Sequence, residues 1–202
     1  MNKAWCFSFL LLSGYGMWAQ DTLVTQYPGT ELPWLKVNDG PQKQSEFIYH
    51  ANDQIWMQVR YEGETERWDW YYDNGQPYFK ATIIDNALQG LYQIGYANGQ
   101  MAEVINFTDH IEDGSAWFYY PNGQLAMTGT YRDGEMMNDW VFYRASGSLA
   151  DGPWQWLFAA DSSRLRMKGE VRNGMMSGTW QYTSIANLGT SSEKNFTFVS
   201  DK

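Results

Sequence analysis

Four acidic residues lie close together in the sequence, and paired carboxylates are the groups that glycoside hydrolysis requires. They are Glu62, Glu64, Glu66 and Asp69. The first three fall in a segment that the surrounding pattern places in a turn between two strands, where a run of charge is normally solvated. We therefore expect a charged surface turn here rather than a catalytic pair.

The two histidines offer no better basis for catalysis. His110 occupies a turn position that Asn86 and Gly134 occupy elsewhere, and His50 adjoins a turn at Asn52-Asp53. Neither histidine has the spacing of metal ligands. The sequence also lacks a phosphate-binding loop, a nucleophile elbow and the His-Glu-x-x-His motif. It therefore predicts no enzymatic activity, no metal and no cofactor.

Aromatic residues form a more informative pattern. Tyrosine recurs four positions before successive turns, although Gly95 interrupts the series, and one tryptophan shares the strand face of these tyrosines. On an open sheet face such rings could stack on sugars or grip an extended peptide. Alternatively, they could pack under a second layer or stabilise the sheet as a cross-strand ladder. The candidate binding residues are Tyr49, Tyr71, Trp117, Tyr119 and Tyr143.

An internal repeat determines where these residues stand. Asn74-Gly75-Gln76 recurs at Asn98-Gly99-Gln100 and at Asn122-Gly123-Gln124, each step being 24 residues. The next step of 24 residues reaches Ser146-Gly147-Ser148, and a step of 22 residues back reaches Asn52-Asp53-Gln54. Such a fixed period is the signature of a repeat architecture.

A second series of turn signals lies between the first. Asp85-Asn86, Asp109-His110 and Asp133-Gly134 are also spaced by 24 residues. Asn-Gly and Asp-Gly favour type I′ hairpin turns, so we expect that turn type at both series. Turns about every 12 residues leave strands of roughly eight residues, so each repeat is predicted to be two antiparallel strands.

Apolar residues alternate along the strand before each turn of the first series. Alternate residues on a strand share one face, so these positions predict the packed face of the sheet. They are Trp68, Trp70 and Tyr72; Tyr92, Ile94 and Tyr96; Ala116, Phe118 and Tyr120; Trp140, Phe142 and Arg144. One repeat is eight residues short around Asp151-Gly152-Pro153, where we expect a kink or a short irregular loop.

Several of these segments match a known repeat motif. Trp117-Phe-Tyr-Tyr-Pro-Asn-Gly-Gln-Leu is followed by Gly129-Thr-Tyr-Arg-Asp-Gly and then Trp140, and Gly169-Glu-Val-Arg-Asn-Gly is followed by Gly178-Thr-Trp180. These segments resemble the MORN-repeat variant family, and the similarity extends over about residues 47–187. The resemblance implies an all-β fold, an antiparallel meander in one elongated sheet, with hairpins that pack mainly on their neighbours. Bacterial proteins of this kind often carry an antitoxin-like label.

The amino terminus has the composition of an export signal. Lys3 precedes an apolar stretch from Ala4 to Leu12, and small residues lead to a cleavage site just before Asp21. The chain's one cysteine, Cys6, lies inside this segment, so the exported protein would have no thiol. We divide the chain into a signal peptide at 1–20, an N-terminal segment or cap at 21–45, a repeat domain at 46–190 and a tail or last strand at 191–202. No later segment is long and apolar enough to be a transmembrane span.

Charge limits the choice of partner. The formal net charge is −9, and loss of Lys3 with the signal takes it to −10. An acidic chain is repelled by nucleic-acid phosphates and by anionic membrane surfaces. The sequence therefore predicts an exported scaffold, periplasmic, surface-bound or secreted, that binds a protein or a glycan. The alternative is an antitoxin or immunity-like protein that neutralises a basic toxic partner.

Overall fold

The computed structural model describes residues 21–26, 33–39, 43–157, 165–184 and 192–198, and every regular element in these ranges is a β-strand. The all-β prediction is therefore confirmed. None of the described residues forms a helix that could cross a membrane. The predicted signal at 1–20 lies outside these ranges. The strands are β1 (Asp21–Gln26), β2 (Pro33–Asp39), β3 (Lys43–Tyr49), β4 (Ile55–Glu62), β5 (Thr65–Tyr71), β6 (Pro77–Ile84), β7 (Ala87–Gly95), β8 (Met101–Thr108), β9 (Ile111–Tyr119), β10 (Leu125–Arg132), β11 (Glu135–Met136), β12 (Val141–Phe142), β13 (Gly152–Leu157), β14 (Leu165–Arg172), β15 (Met175–Ser184) and β16 (Ser192–Phe198).

These strands form one antiparallel sheet. Strands β1 to β10 pair in chain order, as a meander requires, and β1 and β2 extend the sheet within the predicted N-terminal segment. After β10 the order becomes β12, β15, β14, β13, while β11 pairs with β10 and β16 pairs with β15. At Gly152, where we expected a kink or a short loop, the chain instead starts an edge strand and returns through β14 to β15.

The second series of turns has the predicted backbone geometry. Both central residues of a type I′ turn have positive φ, a region that Asn, Asp and Gly enter most easily. Every central residue in this series has positive φ. The φ angles are 51° and 63° at Asp85 and Asn86, 48° and 68° at Asp109 and His110, and 51° and 75° at Asp133 and Gly134. The turn between β14 and β15 has the same geometry, with φ angles of 49° at Asn173 and 75° at Gly174. The type I′ prediction is confirmed here.

The first series of turns has a different geometry, so the type I′ prediction is wrong there. In the repeat at Asn74, only Gly75 has positive φ, at 79°. The Gly75 amide donates to the Tyr72 carbonyl at 2.9 Å, and the Tyr72 amide donates to the Gln76 carbonyl at 2.9 Å. These bonds close a three-residue loop, a type I turn followed by one left-handed residue. Both loop lengths accept Asn-Gly, so the dipeptide alone does not distinguish them.

The Asn-Gly-Gln motif also joins consecutive repeats. The Asn74 side-chain oxygen accepts a bond from the Gln76 amide at 3.0 Å, and its NH₂ group donates to the Ala97 carbonyl of the next turn at 2.8 Å. A Cβ built on Gly99 would lie only 2.5 Å from the Gln76 side-chain oxygen, so this oxygen packs directly against the glycine of the next turn. Asn52, Asn98 and Asn122 make the same pair of bonds. The motif is therefore both a turn and a contact between neighbouring hairpins.

Strand pairing divides the side chains between two faces, because paired residues on neighbouring strands project to the same side. We call the inner face the one that carries the predicted apolar positions. One row of it, in strand order, is Ile48, Met57, Trp70, Phe79, Ile94, Glu103, Phe118, Met127 and Phe142. Phe118, Met127 and Phe142 are fully buried. The predicted apolar positions thus share one face of the sheet, and Ile94, Ala116, Phe118, Trp140 and Phe142 among them are buried.

The three strands β13 to β15 cover part of the inner face. Trp156 on β13 contacts Phe118 and Tyr120 with ring centroids 6.4 and 5.4 Å apart. The centroid of the Phe142 ring lies 4.8 Å from that of Trp154 on β13 and 4.9 Å from that of Trp180 on β15. Since Trp156 is far from Phe118 in strand order, the C-terminal strands lie over β9 to β12. This cover is what buries the aromatic rings there.

Two hydrogen bonds join the C-terminal strands to the preceding repeat. The Phe142 amide donates to the Gly174 carbonyl at 2.8 Å, and the Tyr182 hydroxyl donates to the Gly134 carbonyl at 2.9 Å. Gly174 and Tyr182 stand forty residues after Gly134 and Phe142. The C-terminal strands therefore contact the segment that lies forty residues before them.

Two glycines of the repeat motif are required by tryptophan. A Cβ on Gly129 would lie 2.4 Å from the Trp140 indole, and a Cβ on Gly169 would lie 2.3 Å from the Trp180 indole. Both indoles are fully buried. Each tryptophan thus packs directly on glycine backbone, which gives the Gly…Trp spacing of the motif a physical reason.

Candidate functional site

The five predicted binding residues project from the face opposite the inner face, which we call the outer face. Each of them is half-buried. Four of them stand at equivalent positions of successive repeats, and each pairs with an apolar residue on the following strand or segment. The pairs are Tyr49 with Ile55, Tyr71 with Pro77, Tyr119 with Leu125 and Tyr143 with Leu149, and Gly95 with Met101 is the equivalent pair of the remaining repeat. These five pairs form one series along the sheet. We call this the tyrosine row. Met101 is 38% exposed and Leu149 is 53% exposed, so the row is an accessible apolar stripe.

Trp117 lies one row further into the sheet. It pairs with Val104 on β8 and with Thr128 on β10, both half-buried. It shares the strand face of Tyr119, as predicted, because the two residues are two positions apart. Trp117 therefore widens the tyrosine row at β9 rather than continuing it.

The interruption at Gly95 has a steric cause. A Cβ built on Gly95 would lie 2.3 Å from the backbone carbonyl oxygen of Pro77. This oxygen cannot move away as the end of a flexible side chain could. A tyrosine at this position would displace β6, so the row contains a gap between Tyr71 and Tyr119.

The backbone of the tyrosine row is held by side chains that come from the preceding repeat. The Tyr72 hydroxyl donates to the Gly95 carbonyl at 2.9 Å, and the Tyr96 hydroxyl donates to the Tyr119 carbonyl at 2.8 Å. The equivalent bonds are Tyr120 to the Tyr143 carbonyl at 2.8 Å and His50 Nε2 to the Tyr71 carbonyl at 3.1 Å. A row fixed in this way loses less conformational entropy when a ligand binds.

Two tyrosines in or next to the tyrosine row have a raised pKa. Burial, with smaller contributions from Glu103, Tyr72 and Tyr120, raises the pKa of Tyr96 to about 12. Burial and then the Asp69 carboxylate raise the pKa of Tyr71. These phenols are neutral near pH 7, so they can donate and accept hydrogen bonds and can stack, but they cannot act as bases.

The acidic cluster found in the sequence is divided between the two faces. Glu66 accepts a bond from the Trp68 indole N–H at 2.7 Å on the inner face. Asp69 projects from the outer face, where Arg60 lies 2.5 Å and Lys80 lies 3.6 Å from its oxygens. Glu62 and Glu64 are exposed. The cluster therefore does not bring a pair of carboxylates to one site.

His110 has the turn role that its position indicated. Its φ is 68°, its amide donates to the Leu88 carbonyl, and its Nδ1 accepts from the Leu88 amide at 3.2 Å. Within the described ranges no group of three or more His, Cys, Asp or Glu residues is arranged to hold a metal ion.

Sequence reasoning missed a second aromatic surface. Trp68 and Trp70 were assigned to the packed face, yet both are only half-buried, and Trp56 beside them is 36% exposed. Among the described residues, the ring contacts of β13 to β15 with the inner face involve β9 and the segments that follow it. No local signal in the sequence shows how far that cover extends, because it depends on the strand order of the C-terminal unit.

Fold and surface together define a β-repeat protein whose two-stranded units stand side by side in one sheet. Residues 112–133 match the family model of the MORN repeat variant, which confirms the resemblance to this repeat family. The match does not support the antitoxin-like label. The match spans most of β9 and β10. Repeats of this class generally mediate binding or scaffolding.

Solved structures show only a distant likeness. One is entitled "Crystal Structure of TarM", with 11% identity and a TM-score of 0.34 over 50% of this chain and 20% of that chain. Another is a mutant of S. aureus TarM in complex with Fondaparinux, alpha-GlcNAc-glycerol and UDP, with 10% identity and a TM-score of 0.33 over 58% of this chain and 21% of that chain. The chain thus spans about a fifth of the length of these structures. No curated protein matches the sequence.

Proposed function

We propose that the protein is an exported binding scaffold that holds a protein or glycan partner against the tyrosine row. The observation that carries this proposal is the half-exposed row itself, since its rings and its aliphatic residues share one accessible stripe. A ring with a polar hydroxyl can stack on a sugar or on a peptide and can also form a hydrogen bond. The four bonds to the row's backbone carbonyls support the proposal, because a fixed surface binds at lower entropic cost.

Export is part of the proposal and rests on the sequence of residues 1–20. A positive residue, a short apolar stretch and small residues follow one another there as in a secretory signal. We expect the mature chain to begin at or near Asp21 and to be found outside the cytoplasm. Cell fractionation with N-terminal sequencing tests this, and an intact Met1 on cytosolic protein would remove export from the proposal.

Capture from an envelope extract and on a glycan array tests the binding site. Residues 21–202 are compared with a triple variant, Tyr71→Ala, Tyr119→Ala and Tyr143→Ala. The matched control replaces three exposed apolar residues outside the row, Ile84→Ala, Ile111→Ala and Met175→Ala. We expect the unaltered chain and the control to retain the same partner and the triple variant to lose it.

A folded triple variant that keeps the partner would show that the tyrosine row is not the site. If circular dichroism shows that the triple variant has unfolded, Met101→Glu and Leu149→Glu replace it. Both side chains are exposed, so a charge there changes the row without opening a cavity. Retention of the partner by this folded second variant would likewise contradict the proposal.

A second candidate function is an antitoxin or immunity-like role. The net charge of −9 favours it, because an acidic chain attracts a basic toxic partner. In that case the captured partner is a basic protein whose toxic activity stops when the complex forms. A captured glycan, or a partner without such an activity, would exclude this role.

A further inference from the structure

An aromatic surface centred on Trp70 lies on the part of the inner face where no ring contact with β13 to β15 occurs among the described residues. Trp70 stacks on Trp68 with centroids 6.1 Å apart, and Trp56 and Tyr78 lie 6.2 and 6.4 Å from it. Tyr72 extends the surface through Tyr78, at 5.1 Å. We call these five residues the tryptophan surface. All five are half-buried or exposed, whereas Phe118 and Phe142, whose rings contact β13, are fully buried.

Charge is distributed unequally between the two faces. Between residues 44 and 120 the chain has only three basic residues besides histidine, Arg60, Arg67 and Lys80. In the strand register, Arg60 on β4 stands opposite Arg67 on β5, and Lys80 on β6 stands opposite Asp69 on β5. These pairs alternate along β5 with Trp68 and Trp70, so all three basic residues project from the outer face.

Glutamates, by contrast, project from the inner face. Glu46, Glu66, Glu103 and Glu112 occupy inner-face positions in the same strand pairings. Two of these carboxylates accept hydrogen bonds from inner-face rings, Glu66 from Trp68 and Glu46 from the neighbouring Tyr61. The Tyr61 hydroxyl donates to Glu46 at 3.1 Å, and the Trp68 indole N–H donates to Glu66 at 2.7 Å. The tryptophan surface is therefore bordered by carboxylates and carries no Lys or Arg from residues 44–120.

We propose that the tryptophan surface binds a cationic segment of a partner protein, with Lys or Arg side chains on the faces of Trp56, Trp68 and Trp70 and beside Glu46 and Glu66. The ring faces carry negative electrostatic potential and attract cations within about 6 Å of the ring centre. The fixed carboxylates add direct charge attraction, and the net charge of −9 attracts a basic segment at longer range. This site is separate from the tyrosine row and does not depend on it.

Binding of a labelled peptide to residues 21–202 tests the proposal. The probe is a synthetic peptide of alternating lysine and glycine, and its matched control is the same peptide with every lysine acetylated. Fluorescence anisotropy at low and at high salt gives the affinity. We expect the lysine peptide to bind, its affinity to fall as salt rises, and the acetylated peptide to bind much more weakly.

Variants place the peptide on the tryptophan surface. The double variant Glu46→Gln and Glu66→Gln keeps the shape of both side chains, and Trp56→Ala removes the exposed ring. We expect each to weaken the lysine peptide roughly threefold to tenfold. Glu62→Gln with Glu64→Gln is the control, because it removes the same charge from exposed positions outside the tryptophan surface. This control and the triple variant of the tyrosine row should bind the lysine peptide as the unaltered chain does.

Four results would overturn the proposal. The first is that the lysine peptide fails to bind, or that both peptides bind equally. The second is that the Glu46/Glu66 variant, shown to be folded by circular dichroism, binds as tightly as the control. The third is that a neutral glucan oligosaccharide binds independently of salt and is lost in Trp56→Ala, which would make the tryptophan surface a glycan site. Loss of peptide binding in the tyrosine-row variant would also contradict a separate site.

Discussion

At the same position of four consecutive repeats, a side chain forms the same type of hydrogen bond. His50, Tyr72, Tyr96 and Tyr120 each bond to a backbone carbonyl of the next repeat, 21 residues away for the histidine and 23 residues away for the tyrosines. The sequence predicts the three tyrosines only as the ends of apolar rows and His50 only as a residue beside a turn. Their ring burial fits that prediction, but the hydroxyl partners could not be predicted, because they depend on the registration between hairpins.

Removing one of these hydroxyls should weaken the contact between repeats. In Tyr96→Phe the carbonyl of Tyr119 loses its partner, so we expect the free energy of unfolding to fall by about 1 kcal/mol. Urea denaturation measures this change. Tyr119→Phe is the control, since its hydroxyl makes no hydrogen bond in the described part of the chain, and it should unfold like the unaltered protein. Equal stability of all three proteins would show that the Tyr96 bond contributes nothing.

The raised pKa of Tyr96 predicts a loss of stability at high pH. Its ordinary pKa is 10.0 and its pKa in the folded chain is about 12, so the unfolded chain releases the phenolic proton first. The associated stability is fully present below pH 10 and is lost as the pH rises through about 12. Urea denaturation across this range should show a smaller loss for Tyr96→Phe. The same loss in both proteins would contradict the raised pKa.

At the scale of the element, the sequence predicted where the strands and turns lie but not every turn type. The Asp-Asn, Asp-His and Asp-Gly pairs all have positive φ at both residues, which two-residue loops require. The Asn-Gly turns differ because the Asn74 side chain holds the Gln76 amide and leaves only Gly75 in the left-handed region. Two loop lengths suit the same dipeptide, so the sequence alone left this choice open.

The glycine of the repeat motif gives an element-scale prediction. In Gly129→Ala the added Cβ would collide with the Trp140 indole, which is fully buried and cannot move aside. We expect a loss of about 1–3 kcal/mol in the free energy of unfolding. A double-mutant cycle with Trp140→Ala, measured by urea denaturation, isolates the collision. Gly129→Ala should cost little once the indole is gone, and an unchanged cost would place its cause elsewhere.

At the scale of the whole molecule, the change of strand order after β12 decides which part of the inner face is covered. The eight missing residues indicated an irregularity near Gly152, but no local pattern predicts that β15 rather than β13 lies beside β12. That order depends on contacts between distant residues, such as Trp156 with Phe118. For the same reason the five outer-face candidates could be placed from alternation alone, whereas the tryptophan surface could not.

The C-terminal cover predicts a long-range effect of one residue. Trp156→Ala removes ring contacts with both Phe118 and Tyr120, so we expect a loss of about 3–5 kcal/mol in the free energy of unfolding. Hydrogen exchange should also become faster in β9 and β10, which lie beneath this ring. Exchange that changes only in β13 would contradict the covered arrangement.

Residue-resolved footprinting measures whether the sheet packs one face and presents the tyrosine row on the other. Hydroxyl-radical labelling of residues 21–202, read by mass spectrometry, compares tyrosines of the two faces. Tyr71, Tyr119 and Tyr143 are half-buried, whereas Tyr131 is 0% and Tyr182 is 2% exposed. We expect ready labelling of the three tyrosines of the row and protection of Tyr131 and Tyr182. Protection of the tyrosine row to the same degree as Tyr131 would mean that the outer face is covered, and the proposed binding site would be wrong.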